Sequence, residues 1–183
     1  YFVTRNQSAI IAFKVSRKDY SGFHIAASHS DSPTLKIKES SEMNIENQYV
    51  KLNVEKYGGM LCAPWFDRPL SVAGRIIVKD GNRLTTKLIN VDRDLLMIPN
   101  LAIHMNREVN DGYKYNIQKD MLPLYRMSNS GKAFKEMIAE EAGVSVDQIK
   151  GMDLFLYNRM EGTVWGCDGE FISAPRLVDL PVS

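Results

Sequence analysis

Val50-Lys51-Leu52-Asn53-Val54-Glu55 sets three apolar side chains at alternate positions, with Lys51, Asn53 and Glu55 between them. Successive side chains of a strand point to opposite faces, so this stretch predicts a strand with one buried and one wet face, the grammar of antiparallel sheets. The pattern starts near Thr34 and breaks at Gly58-Gly59. Residues 70–79 and 83–91 are further strand-like runs, and they flank Asp80-Gly81-Asn82. A connection that short and bearing glycine predicts a β-hairpin. Ile98-Pro99 ends the region. Residues 132–142 follow another period: Ala133, Phe134, Met137, Ile138 and Ala142 fall on one helical stripe, which Gly143 stops. Ser145-Val146-Asp147-Gln148 has the Ser-x-x-Gln form of a capping box and predicts a short second helix before Gly151. Residues 154–157 and Phe171-Ile172 return to strand. Toward the other end, residues 8–15 and 23–27 are apolar runs separated by the polar residues 16–22, which predicts two strands joined by a turn. The second run stops at Ser28-His29-Ser30-Asp31-Ser32-Pro33, a loop at the carboxyl end of a strand, where open α/β sheets place their ligands.

The 183 residues are 44% hydrophobic and 25% charged, enough for one domain core or two small ones. A net charge of +1 provides no extended basic field, which disfavours nucleic acid as the principal partner. No apolar run approaches the roughly 20 residues that span a bilayer, so no membrane partner is expected. Tyr1-Phe2-Val3-Thr4-Arg5 lacks the basic-then-apolar order of a signal peptide. Cys62 and Cys167 belong to no Cys-x-x-Cys pair and make no disulfide scaffold, which fits a reducing cytoplasm. Because the first residue is Tyr1 rather than Met, the sequence reads as a processed product, a fragment, or part of something longer.

His29-Ser30-Asp31 is the sharpest local feature. A metal needs a neutral imidazole in one tautomer, and a nearby carboxylate can take the other ring N–H and hold it. The competing reading is a turn in which Asp31 and its serine neighbours bond local backbone, and the residues alone favour that reading. His24 lies in an apolar run and reads as a core or sheet-face histidine; His104, in Leu101-Ala102-Ile103-His104-Met105-Asn106, also reads as structural. Glu140-Glu141 read as a solvated helix face, and Asp67-Arg68 as an ion pair, either exposed or fixing a loop. Nucleotide-binding glycine motifs, a Gly-x-Ser-x-Gly elbow and His-Glu-x-x-His are all absent from the sequence.

The order of segments is more specific than any one of them. Residues 27–33 (Ala-Ser-His-Ser-Asp-Ser-Pro), 51–60 (Lys-Leu-Asn-Val-Glu-Lys-Tyr-Gly-Gly-Met), 65–75 (Trp-Phe-Asp-Arg-Pro-Leu-Ser-Val-Ala-Gly-Arg), 98–105 (Ile-Pro-Asn-Leu-Ala-Ile-His-Met) and 170–177 (Glu-Phe-Ile-Ser-Ala-Pro-Arg-Leu) together resemble the aspartyl aminopeptidase family of zinc metallopeptidases. The resemblance runs through nearly the whole chain and reverses the preference at His29.

It implies an α/β fold: a zinc-aminopeptidase-like catalytic domain, present only in part as residues 1–33 and 171–183, interrupted by an inserted β-rich dimerisation domain over residues 34–170. The implied enzyme carries two zinc ions, releases N-terminal Asp or Glu from peptide substrates, and self-associates into dimers and tetrahedral dodecamers. By resemblance, His29 is a metal ligand and Asp31 the catalytic-site residue that orients it. His104 is implied to reach a neighbouring subunit's active site and polarise the scissile carbonyl. The family follows Ala-Pro-Arg-Leu with a metal-bridging aspartate; here Val178 holds that place and Asp179 comes one residue later. Asp179 is therefore an out-of-register metal ligand, since one step along an extended chain reverses the face. The family's catalytic glutamate, remaining ligand carboxylates and second histidine ligand have no counterpart before Ser183. The expectation is that these 183 residues alone are inactive, and the alternative is a non-catalytic fragment serving as an assembly or interaction module.

Overall fold

The computed structural model describes residues 1–15 and 19–175. In chain order its strands are β1 (Phe2–Arg5), β2 (Ala9–Ala12), β3 (Thr34–Ile45), β4 (Tyr49–Tyr57), β5 (Leu70–Asp80), β6 (Arg83–Asn90), β7 (Leu124–Met127), β8 (Ile149–Asn158), β9 (Thr163–Trp165) and β10 (Phe171–Ser173). The helices are α1 (Ile117–Asp120) and α2 (Phe134–Ala142), with 3-10 turns at Ala63–Trp65 and Val146–Gln148. The chain separates into two compact units, the first holding Tyr1–Ser30 and the second beginning at Asp31.

In the second unit six strands form an antiparallel sheet in the order β6-β5-β8-β3-β4-β7. The alternation at 50–55 does what its period requires: Val50, Leu52 and Val54 are buried on one face. Leu35 and Ile37 of β3, Leu70, Val72, Ile76 and Val78 of β5, and Leu154 and Leu156 of β8 join them. Phe134, Met137 and Ile138 of α2 complete the same core, together with Phe66, Leu96, Ile98, Met121 and Leu122 from the connections. Burying side chains of this size supplies about 1.5–3 kcal/mol each before ordering costs are counted.

The β5–β6 hairpin forms as its loop predicts, with Asp80 opposite Arg83 and Gly81 at φ 57. Gly74, at φ 150, lets β5 and β8 approach closely; a Cβ there would lie 2.2 Å from the Asp153 carbonyl oxygen. Helix α2 begins at Phe134 rather than 132, because Ala133 is still extended (φ −59, ψ 148) and has no side-chain acceptor to cap the helix. Glu136 Oε2 accepts from the Ala133 N–H at 3.0 Å, while Glu42 Oε1, reaching across from β3, accepts from the Phe134 N–H at 2.9 Å. Gly143 ends the helix in the left-handed conformation, φ 63 and ψ 42. The capping box at Ser145 produces a single 3-10 turn, its N–H bonded to Gln148 Oε1 at 2.9 Å.

In the first unit the expected strand over residues 23–27 does not form; Phe23 and Ile25 are exposed coil. Residues 9–12 instead pair with β1, through a tight loop whose Asn6 and Gln7 have φ 51 and 55. A ladder needs a partner in register, and β1 lies one short turn away, whereas the 23–27 run has no paired strand among the described residues. His24, read above as a core or sheet-face residue, is exposed.

Candidate functional site

Asp31 opens the second unit, and its place is fixed from β4. Its Oδ2 accepts a hydrogen bond from the Tyr57 hydroxyl at 2.5 Å. Tyr57 ends β4 opposite Thr34, its ring stands edge-on to Phe155 at 5.6 Å, and Pro33 lies beside Gly58. The hydrogen bond to the Asp31 carboxylate, then its negative charge, raises the Tyr57 phenol above its ordinary value, with lesser contributions from burial and Asp153. A hydrogen-bonded, anchored carboxylate is the kind of group that can hold an imidazole ligand in one orientation. His29 falls in the first unit and is exposed.

His104 lies in a loop of successive turns, with Met105 N–H on the Ala102 carbonyl at 2.8 Å and Asn106 N–H on the Ile103 carbonyl at 3.3 Å. The imidazole is exposed, so His104 is not a packing residue of this chain's core. The loop leaves the core at Ile98, which is fully buried. Asp67 Oδ1 accepts from the Asn100 N–H at 2.9 Å. That bond resolves the reading of Asp67-Arg68: Asp67 fixes a loop through backbone, and Arg68 turns its Nη1 to Met160 Sδ at 3.4 Å. Ile103 and Met105, flanking His104, are exposed as well.

Elsewhere, a cavity of about 650 Å³ is lined by Arg93, Tyr125, Arg126, Lys132, Glu140 and Glu141. Lys132 pairs with Glu140 at 2.5 Å and Arg126 with Glu42 at 3.4 Å, so most of its charge is internally balanced. Glu140 and Glu141 are exposed, in accord with a solvated helix face.

Among the described residues no three His, Cys, Asp or Glu side chains gather to hold a metal. Catalytic zinc takes three protein ligands, and the described part of this chain does not by itself make such a site. Asp179 lies outside the described residues. Tyr57 is the site residue that the residue-by-residue reading did not single out. Its signal is its place inside the Glu55-Lys56-Tyr57-Gly58-Gly59 segment, not any property of a lone tyrosine.

These features define a sheet-rich α/β protein whose two candidate histidines stand exposed. The family described as Aminopeptidase I zinc metalloprotease (M18) matches residues 1–183, and the chain belongs to this family. It is 49% identical over 189 aligned positions to the "Probable M18 family aminopeptidase 2" of Clostridium acetobutylicum, covering 98% of this chain and 43% of that relative. The counterpart from Pseudomonas aeruginosa is 37% identical, with 98% and 44% covered. The chain thus spans less than half the length of these curated relatives. Among solved structures, the Ape4 and Nbr1 complex matches with a TM-score of 0.81 at 33% identity, covering 94% of this chain and 37% of that one. Chaetomium thermophilum mApe1 matches with a TM-score of 0.66, also at 33% identity, over 78% of this chain and 35% of that one. Among the described residues no helix is long and apolar enough to cross a membrane.

Proposed function

We propose that the complete polypeptide is a cytoplasmic, metal-dependent aminopeptidase, using two zinc ions, that releases Asp or Glu from peptide N-termini. The observation that carries this reading is the family match along all of residues 1–183, with the ordered segments at 27–33, 51–60, 65–75, 98–105 and 170–177 in place. In this reading residues 1–33 and 171–183 belong to the catalytic domain and 34–170 to an inserted domain for self-association. His29 serves as one metal ligand, and Asp31, anchored by Tyr57, orients it. Asp179 is the weakest member of the set, for the face-reversal given above. Bound zinc polarises a carbonyl and lowers the pKa of its water; His104 supplies a hydrogen-bond donor toward the oxygen on which negative charge develops. The exposure of His104 and its apolar flanks supports action across a subunit boundary, since an exposed loop can enter a neighbour's site. A dodecameric mApe1 shares this fold at 24% identity and a TM-score of 0.61.

The test uses the complete polypeptide and peptides differing only in their first residue. Release of N-terminal Asp and Glu in preference to Leu, abolished by a chelator and restored by zinc, is expected. Equal turnover of all three overturns the acidic specificity, and chelator-insensitive turnover overturns the metal dependence. The second reading is an assembly module without catalysis. It predicts oligomers with no turnover in the same assay.

A further inference from the structure

Strand β6 ends the six-stranded sheet, and among the described residues no strand pairs with its outer edge. Proteins usually blunt such an edge with a proline, a bulge, a short strand, an inward-pointing charge or a covering helix or loop. Here β6 is eight residues long, Arg83-Leu84-Thr85-Thr86-Lys87-Leu88-Ile89-Asn90, without proline. All eight pair with β5 without a register shift. Its inward charge, Lys87, lies opposite the buried Ile76, but its Nζ already donates to the Ala142 carbonyl at 3.0 Å, so that charge is satisfied at the end of α2 rather than left for an added strand to bury. The other face of the strand carries Leu84 and Leu88, 67% and 78% exposed, with Thr86 between them.

We infer that β6 pairs antiparallel with β6 of a second copy of this chain, about a two-fold axis at Thr86, joining two sheets into one of twelve strands. The choice of register follows from three conditions and from overlap, since centres at Leu84 or Leu88 meet the three but pair fewer residues of the strand. A shift by an odd number of positions would put Leu84 of one copy opposite Ile89 or Lys87 of the other, on the wrong face. A centre at Lys87 sets two lysines opposite each other, and a centre at Thr85 sets Lys87 against Arg83; like charges directly opposed are destabilising. The centre at Thr86 opposes Leu84 to Leu88 twice, Lys87 to Thr85 and Arg83 to Ile89, with no like charges facing within the strand. It also satisfies the backbone: a two-residue loop after Asp80 makes Asp80–Arg83 a hydrogen-bonded pair, so by alternation Leu84, Thr86 and Leu88 turn their N–H and C=O groups to the free edge. A two-fold interface of this kind is self-complementary, as closed dimers require.

This inference rests on the self-association proposed above and specifies its surface. The test replaces Cys62 and Cys167 with serine in the 183-residue chain and introduces Thr86→Cys. Opposed residues of an antiparallel pair lie about 4.5–5.5 Å apart at Cα, within disulfide reach. Mild oxidation should convert most of the variant to a covalent dimer. Leu84→Cys alone should cross-link at least tenfold less than an equimolar mixture of Leu84→Cys with Leu88→Cys. Leu88→Lys, with the native cysteines and the native Thr86, should shift the sedimentation equilibrium at least tenfold toward monomer while leaving the unfolding transition in place. A dimer that survives Leu88→Lys and gives no Thr86 cross-link overturns the β6 pairing but leaves self-association standing. A monomer at every concentration overturns both.

Discussion

The six-stranded sheet and the β9–β10 hairpin are built from similar residues, yet only the sheet has an inside. In β4 and β8 the apolar side chains alternate onto one face and are buried in the core that Phe134, Met137 and Ile138 of α2 share. In β9–β10, Val164 faces Ile172 and Trp165 faces Phe171, so both faces are apolar, and all four side chains are exposed. The β1–β2 hairpin repeats this in the first unit, where Phe2, Val3, Ile10 and Ile11 are exposed. Apolar content alone therefore does not locate a core; burial needs a second layer, and the sheet has one. Bare apolar faces of this kind mark surfaces that other elements cover.

Phe134→Ala is the most direct way to break the comparison. Its ring is fully buried beneath the sheet, so the variant should lose about 3 kcal/mol in a denaturant titration. Phe171→Ala, in the exposed hairpin, should change stability by no more than about 0.5 kcal/mol. Equal losses from the two would erase the distinction. Gly74→Ala sharpens it within the sheet. A methyl group meeting the Asp153 carbonyl oxygen forces β5 from β8 at a cost of about 2 kcal/mol, seen as a lower denaturation midpoint; an unchanged midpoint would show that the two strands separate freely.

Two smaller effects concern charge. Tyr57 has a raised phenol pKa, so the Asp31–Tyr57 bond contributes fully below the ordinary tyrosine value and is lost as pH rises through the raised one. Asp31→Asn should move one tyrosine's absorbance titration to lower pH, and an unchanged titration would contradict the hydrogen bond. Glu140 is held below its ordinary value by the hydrogen bond from Lys132 and by that ammonium's charge. Its contribution is present above the ordinary carboxylate value and is lost as pH falls through the lowered one. Glu140→Gln should flatten the acid limb of the stability curve slightly, the smallest effect here because the pair is exposed. An acid limb as steep as the native one would remove the pair from the account.

Signals carried by a few neighbouring residues were readable in the sequence: the alternation of β4, the Gly81 hairpin, the α2 stripe and the Gly143 stop. What was hidden depends on distant or unusual backbone. The β3–β4 hairpin turns at Glu46 and Asn47, with φ 50 and 55, where no glycine announces the left-handed conformation. Strand β3 also slips register between Ile37 and Glu42, which breaks its alternation and delivers Glu42 to the start of α2. Of the candidate site, His29 and His104 gained meaning only from the order of segments, because an isolated histidine is chemically ambiguous. The Asp31–Tyr57 bond joins residues 26 apart and no local pattern encodes it.

The chain belongs to the M18 family, and our proposal is that it carries part of that family's site and that the chemistry needs residues beyond these 183. The deciding measurement is turnover of a peptide with an N-terminal acidic residue, in the presence of zinc, by residues 1–183 and by the complete polypeptide assayed side by side. Turnover by the complete polypeptide with none by residues 1–183 is predicted. Turnover by residues 1–183 within about tenfold of the complete polypeptide, an activation difference of only ~1.4 kcal/mol, would contradict the claim.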